Sequence, residues 1–221
     1  MFRVKICGIT NQQDGLNAAA VGADALGFNF YQRSRRYVLP ADAEHIVGAL
    51  PPDIVKVGVF VNSTTDRMLT IAERVGLDAI QLHGDEPVDR ILGLHPYPVI
   101  RAFRCGPNAK QWVRDYIEEC RQLDALPAAV LIDAYQPNEY GGTGTAADWK
   151  AVRNIAASLP DMHVVLAGGL HADNVRQAIA TAKPSAVDVA GGVERVPGHK
   201  DKDQMRRFVN AARIGLERLG T

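Results

Sequence analysis

A thiol, a carboxyl and an arginine, far apart along the chain, have the types and local settings that proton transfer on an anionic substrate would need. Cys7 closes the short apolar run Val4 to Cys7 and is followed at once by Gly8. A cysteine in such a run is most often a small buried hydrophobe, but at a strand end its thiolate would serve as base or nucleophile. A thiol of pKa about 8.5 is only a few per cent ionised at neutral pH, and a nearby cation or helix N-terminus would raise that share. Asp133 is the first charge after Val130, Leu131 and Ile132. Burying a carboxylate there for packing alone is costly, so the position points to a site, with a structural ion pair as the rival role. As a general acid it must be kept protonated by its surroundings.

Arg33, Arg35 and Arg36 form a basic cluster. Such clusters usually face solvent, but a guanidinium at the rim of a site is shaped for a carboxylate. His83, in QLHGDE, either holds a carboxylate or is a satisfied rim histidine. The glycine pairs of LAGGL (166–170) and VAGGV (189–193), and Gly141, Gly142 and Gly144 after Asp133, let backbone N–H groups approach an anion closely.

The elements that must position these groups are legible as an alternation of short apolar runs and amphipathic stretches, eight times over. The runs are Val4 to Cys7, Ala25 to Phe30, Ile54 to Val61, Ala79 to Leu82, Val99 to Phe103, Ala128 to Ile132, Val164 to Ala167 and Ala186 to Ala190. Each is followed by a helical pattern, such as the stripe Met68, Ile71, Ala72, Val75 closed by Gly76. Thr10 and Gln13 have the form of a capping box for the first helix. Runs apolar at nearly every position suit parallel strands covered on both faces, and eight such units predict a single (β/α)8 barrel over residues 1–221. No GxGxxG follows the first strand, against a doubly wound dinucleotide fold. In a barrel the site lies where the strands end, at Cys7, Phe30, Asn62, His83, Arg101, Asp133, Gly168–Gly169 and Gly191–Gly192, with phosphate expected at strands seven and eight.

Composition narrows the classes. The chain has 221 residues, 25 Lys+Arg against 25 Asp+Glu, and no basic surface of the kind nucleic acid requires. No apolar run approaches the about 18 residues that span a bilayer, and the start lacks a signal peptide's apolar core, so a cytoplasmic protein with no membrane partner is expected. Cys7, Cys105 and Cys120 are an odd number without CxxC spacing, which predicts reduced thiols and no metal site. Cys120 falls on an apolar helix face and reads as structural, as do Trp112 and Trp149.

Taken together, KICGIT (5–10), GFNFYQRSRRYV (27–38), VGVFVN (57–62), QLHGDE (81–86), LIDAY (131–135), YGGTG (140–144), LAGGL (166–170), DNV (173–175) and VDVAGGVE (187–194) resemble the phosphoribosylanthranilate isomerases of tryptophan biosynthesis, nearly end to end and in order. The resemblance implies a cofactor-free Amadori rearrangement of a phosphorylated aminosugar that carries a carboxylate. It implies Cys7 as general base, Asp133 as general acid, and Arg36 against the anthranilate carboxylate. Gln81 and His83 join the substrate-binding residues; Gly168, Gly169, Asp188, Ala190 and Gly191 are expected at the phosphate. A monomer or a homodimer would both fit. The chain departs from the family at Arg35, where a proline is common. It departs again at Ala190-Gly191, which replace two serines of the phosphate loop, and at Ala147, where an aromatic is usual. The rivals are the histidine-pathway Amadori isomerase, which carries Asp at the position of Cys7, and a barrel that binds sugar phosphate without turnover.

Overall fold

The computed structural model describes residues 1–106, 108–134 and 148–220. Eight parallel strands close into a barrel in chain order: β1 (Val4–Cys7), β2 (Ala25–Asn29), β3 (Val55–Phe60), β4 (Ala79–Leu82), β5 (Val99–Cys105), β6 (Ala129–Ala134), β7 (Val164–Leu166) and β8 (Ala186–Val189). The first strand also pairs with the last, Lys5 opposite Asp188, which shuts the ring. The helices are α1 (Gln12–Ala20), α2 (Pro40–Gly48), α3 (Thr65–Val75), α4 (Asp89–Leu92), α5 (Ala109–Gln122), α6 (Trp149–Ala157), α7 (Val175–Ala182) and α8 (Lys202–Glu217). The expected (β/α)8 architecture is the one observed.

Strand alternation divides the apolar side chains into two separate clusters. Outward-facing Ile6, Leu26, Phe28, Ile80, Phe103, Ile132 and Val187 pack under the helices, in the main cluster. Inward-facing Ala25, Val57, Ala79, Ile100, Ala129, Leu131, Val165 and Ala186 form a second, smaller cluster inside the ring. Small alanines alternate there with Val57, Ile100, Leu131 and Val165, so that side chains fill the narrow bore. Gly58, in β3, faces outward; a Cβ on it would lie 2.4 Å from Leu77 and 2.8 Å from Phe60, so its absence leaves room for the Phe30–Phe60 stack at 5.2 Å.

Local signals were right about most helix ends and wrong at the first. Gly76 closes α3 in the left-handed region (φ 73°), as its position predicts. The cap of α1 is Asn11, whose side chain accepts from Asp14 N, not Thr10 with Gln13. Thr10 instead donates its hydroxyl to Gly198 O, a partner 188 residues away that no local pattern could reveal. A short 3-10 turn (Gly191–Val193) and an antiparallel hairpin, β9 (Glu194–Val196) with β10 (His199–Lys200), follow β8 and were not expected.

β5 runs two residues beyond the predicted end, and this removes Arg101 from the mouth of the barrel. Arg101 faces outward, fully buried, with its guanidinium over Phe103 and Tyr116 at 4.9 and 5.1 Å. Its Nη1 donates to Leu82 O, Gly84 O and Ala102 O and meets Glu86 at 3.3 Å. Glu86 also accepts from Asn62 N and Gly84 N at 2.7 and 2.9 Å, so the pair ties together the loops after β3 and β4. Removing one member of a buried, hydrogen-bonded pair strands the other charge. Arg101→Met should therefore cost about 3–5 kcal/mol in urea unfolding, and adding Glu86→Gln should recover part of that loss.

Candidate active site

All ten residues that the family resemblance nominates line one pocket of about 340 Å³ at the C-terminal ends of the strands: Cys7, Arg36, Gln81, His83, Asp133, Gly168, Gly169, Asp188, Ala190 and Gly191; Arg33, Arg35, Asn62 and Arg101 do not. Phe30 is buried against Phe60 instead of facing the mouth. Gly141, Gly142, Gly144 and Ala147 lie outside the described residues.

Cys7 and Lys5 occupy inward positions on β1, two residues apart and so on one face of the strand. Lys5 is fully buried and donates to Asp188 Oδ1 at 2.9 Å across the seam that closes the ring. Gly27, the partner of Cys7 in β2, makes room for both: a Cβ there would sit 2.6 Å from Cys7 Sγ and 3.1 Å from Lys5 Nζ. Burial would strip the Lys5 proton, but Asp188 and then Cys7 outweigh it and hold the ammonium above its ordinary value. The thiol goes the other way from the expectation that a cation would ionise it. Burial pushes Cys7 up, Lys5 pulls against that, Asp188 adds to it, and the net result is a thiol above the ordinary range. Cys120 is buried and inert, pushed up to about 11 chiefly by burial.

Asp133, at the end of β6, is buried beside His83. Gln81 Nε2 donates to His83 Nδ1 at 2.8 Å, which leaves the neutral ring's proton on Nε2, facing Asp133 Oδ2 at 3.2 Å. The chain Gln81–His83–Asp133 thus gives Oδ2 the accepting role. Among the described residues Gln81 Oε1 is buried without a hydrogen-bond partner.

The rim between β6 and β1 is built by glycine. Gly168 and Gly169 adopt φ of 89° and 64°, turning the chain directly after β7. Asn174 holds that turn, accepting from His171 N and donating to Gly169 O, both at 2.9 Å. A Cβ on Gly192 would fall 1.8 Å from Leu170 O, so the loops after β7 and β8 meet backbone to backbone. That approach leaves peptide groups, not side chains, along the wall where an anion would rest.

Sequence reasoning missed Lys5, Glu194 and Lys200. Lys5 had a legible signal, a charge inside an apolar run at the spacing that shares a face with Cys7. Glu194 and Lys200 had none, because their partners come from distant loops. Arg36 Nε and Nη2 donate to the Glu194 carboxylate at 2.8 and 2.7 Å. Among the described residues no group of three or more His, Cys, Asp or Glu side chains is placed to hold a metal, and no helix is long and apolar enough to cross a membrane.

Comparison with known proteins agrees with this geometry. The profile of the family described as N-(5'-phosphoribosyl)anthranilate isomerase matches residues 4–211. A relative of that name from Geobacter sp. (strain M21) is 44% identical over 96% of this chain and 98% of its own. The one from Thermotoga maritima is 42% identical over 96% and 99%. The crystal structure of phosphoribosyl anthranilate isomerase from Thermotoga maritima superposes with a TM-score of 0.85 at 39% identity, over 96% of this chain and 99% of that one. That from Thermus thermophilus gives 0.83 at 36%, over 96% and 98%. A ring of eight strands with a thiol and a carboxyl at one mouth, and this agreement along almost the whole chain, place the protein in the N-(5'-phosphoribosyl)anthranilate isomerase family.

Proposed function

We propose that Cys7 and Asp133 divide between them the two proton transfers of the family's reaction, the conversion of N-(5-phosphoribosyl)anthranilate to 1-(2-carboxyphenylamino)-1-deoxyribulose 5-phosphate. The observation that carries this assignment is that a thiol from β1 and a carboxyl from β6 line the same pocket. The reaction moves hydrogen within one molecule and leaves the oxidation level of the whole unchanged, so it needs one acid and one base and nothing more.

Asp133 protonates the ring oxygen as the bond from that oxygen to the first ribose carbon breaks. The anthranilate nitrogen's lone pair forms a C=N bond to that carbon and takes up the positive charge. The Cys7 thiolate then removes the proton from the second carbon. The C–H electrons become a C=C bond and the nitrogen recovers its lone pair. Transfer of a proton from the resulting enol hydroxyl to the first carbon yields the ketose. His83, fixed by Gln81, holds Oδ2 of Asp133 so that the proton leaves from the other oxygen. The phosphate rests on the glycine turns after β7 and β8, Gly168–Gly169 and Ala190–Gly191, and Arg36 receives the anthranilate carboxylate. Backbone donors carry the phosphate here, because Ala190 and Gly191 have no hydroxyl to offer.

General acid or base groups of this kind contribute about 10²–10⁴ in rate. Cys7→Ala and Asp133→Asn should each lower kcat by at least about 10², while titration with the reduced product analogue shows affinity within a few-fold of the parent. A barrel that merely binds sugar phosphate would show no turnover to lose.

The thiol's own ionisation gives a separate expectation. Burial raises the Cys7 thiol above its ordinary range. Its alkylation by iodoacetamide should climb with pH and reach half its maximum above the roughly 8.5 of a free cysteine. Lys5→Met removes the cation that opposes burial, so the midpoint should move further up, not down.

A further inference from the structure

The most connected group at the mouth of the barrel is one the reaction scheme does not use. Glu194, at the start of the β9–β10 hairpin, grips the Arg36 guanidinium along one edge, Nε to Oε1 at 2.8 Å and Nη2 to Oε2 at 2.7 Å. Its Oε1 also accepts from Lys200 Nζ at 2.8 Å and from Gly198 N at 3.3 Å. Lys200, fully buried, donates its other two ammonium protons to Cys7 O at 2.6 Å and Ala190 O at 3.2 Å. An ammonium with three acceptors around it has every proton committed. Burial pulls Lys200 below its ordinary value and Glu194 opposes that, so the carboxylate is shared between the lysine and the Arg36 guanidinium.

The guanidinium is also confined sterically. A Cβ on Gly8 would lie 2.5 Å from Arg36 Cδ, and one on Gly191 would lie 3.1 Å from Arg36 Nη2. With Nε and one Nη2 hydrogen committed to Glu194, the Nη1 edge is the one left for an incoming ligand, and among the described residues it has no partner.

We propose that Glu194 is a specificity-determining positioning residue. By holding Arg36 along its Nε–Nη2 edge, with its own carboxylate braced by Lys200, Glu194 presents the Nη1 edge to the substrate and selects for an aglycone that carries a carboxylate. The inference rests on the reading that Arg36 receives that carboxylate. It adds the hairpin after β8, which barrel closure does not require, to the machinery that sorts substrates.

Two effects compete on substitution, and their signs differ. Neutralising Glu194 adds net positive charge, which alone would tighten carboxylate binding. Releasing the guanidinium from its orientation would weaken it, because a bidentate pair depends on alignment. The test compares two ligands by calorimetry, the reduced product analogue and the same molecule lacking the ring carboxylate. Their affinity ratio reports carboxylate selectivity and cancels the phosphate and sugar contributions. In Glu194→Gln the ratio should fall at least tenfold, and KM should rise by a larger factor than kcat falls. Glu194→Asp, too short to span both nitrogens, should also lower it. In an Arg36→Met background the Glu194 substitution should change the ratio no further.

An unchanged or increased ratio in Glu194→Gln, or equal weakening of both ligands, overturns the proposal in favour of a purely electrostatic or structural role. If Glu194→Gln does not fold, Glu194→Asp decides on the same ratio. An Arg36→Met protein that keeps the full ratio would instead refute the underlying assignment of Arg36.

Discussion

A ring of eight hydrogen-bonded strands admits only every second side chain to its interior, and the space inside is narrow. That constraint governs the molecule. Residues that alternate inward must fit together apolar against apolar, small Ala25, Ala79, Ala129 and Ala186 beside larger Ile100 and Leu131, or must find partners that settle their polarity. The inward residues nearest the C-terminal ends escape the first requirement because they open on the pocket. Cys7, Gln81, His83, Asp133 and Asp188 all stand there. The chemistry is placed by the same pleat that fills the core.

The pair Lys5 and Asp188 shows how closely closure and reactivity are linked. Their register partnership is the seam between the first and last strands, and the same contact sets a buried cation beside the Cys7 thiol. Asp188 cuts both ways: it keeps Lys5 charged, yet it opposes ionisation of the sulfur. The net balance leaves the thiol above its ordinary range. A neutral thiol in a buried pocket avoids the cost of an unpaired thiolate and reacts slowly with other electrophiles. Gly27 is the steric condition for this arrangement, since any side chain there would displace sulfur or ammonium.

Beside the same seam, a second polar set is built from distant loops. Arg36, Glu194 and Lys200 form a continuous set of short contacts that reaches the carbonyl of Cys7 and the loop bearing Ala190. The loops after β2 and β8 are thereby braced against the end of β1. A disturbance at any of them is felt at the others, because buried polar networks lose stability when only partly satisfied.

Much of this was legible beforehand. The eight apolar runs, their spacing and the helical stripes follow from periodicity, which depends only on whether neighbouring positions must be apolar, and they sufficed for the barrel. Once the barrel is granted, the strand ends give Cys7, Asp133 and the paired glycines directly, because the pleat and the fold fix which end carries a site. The misplaced residues share another character. Arg101 is placed by the sequence among the residues at the strand ends, but cation–π contacts and Glu86 let it face outward within β5. Thr10 has the sequence form of a cap, but its hydroxyl serves Gly198. Neither the grip of Glu194 on Arg36, 158 residues apart, nor the net rise of the Cys7 thiol could be read locally. Periodic burial is a property of short segments and is written in them; pair contacts and the balance of burial against charge depend on which distant groups the closed ring brings within a few ångströms, and only the tertiary structure decides that.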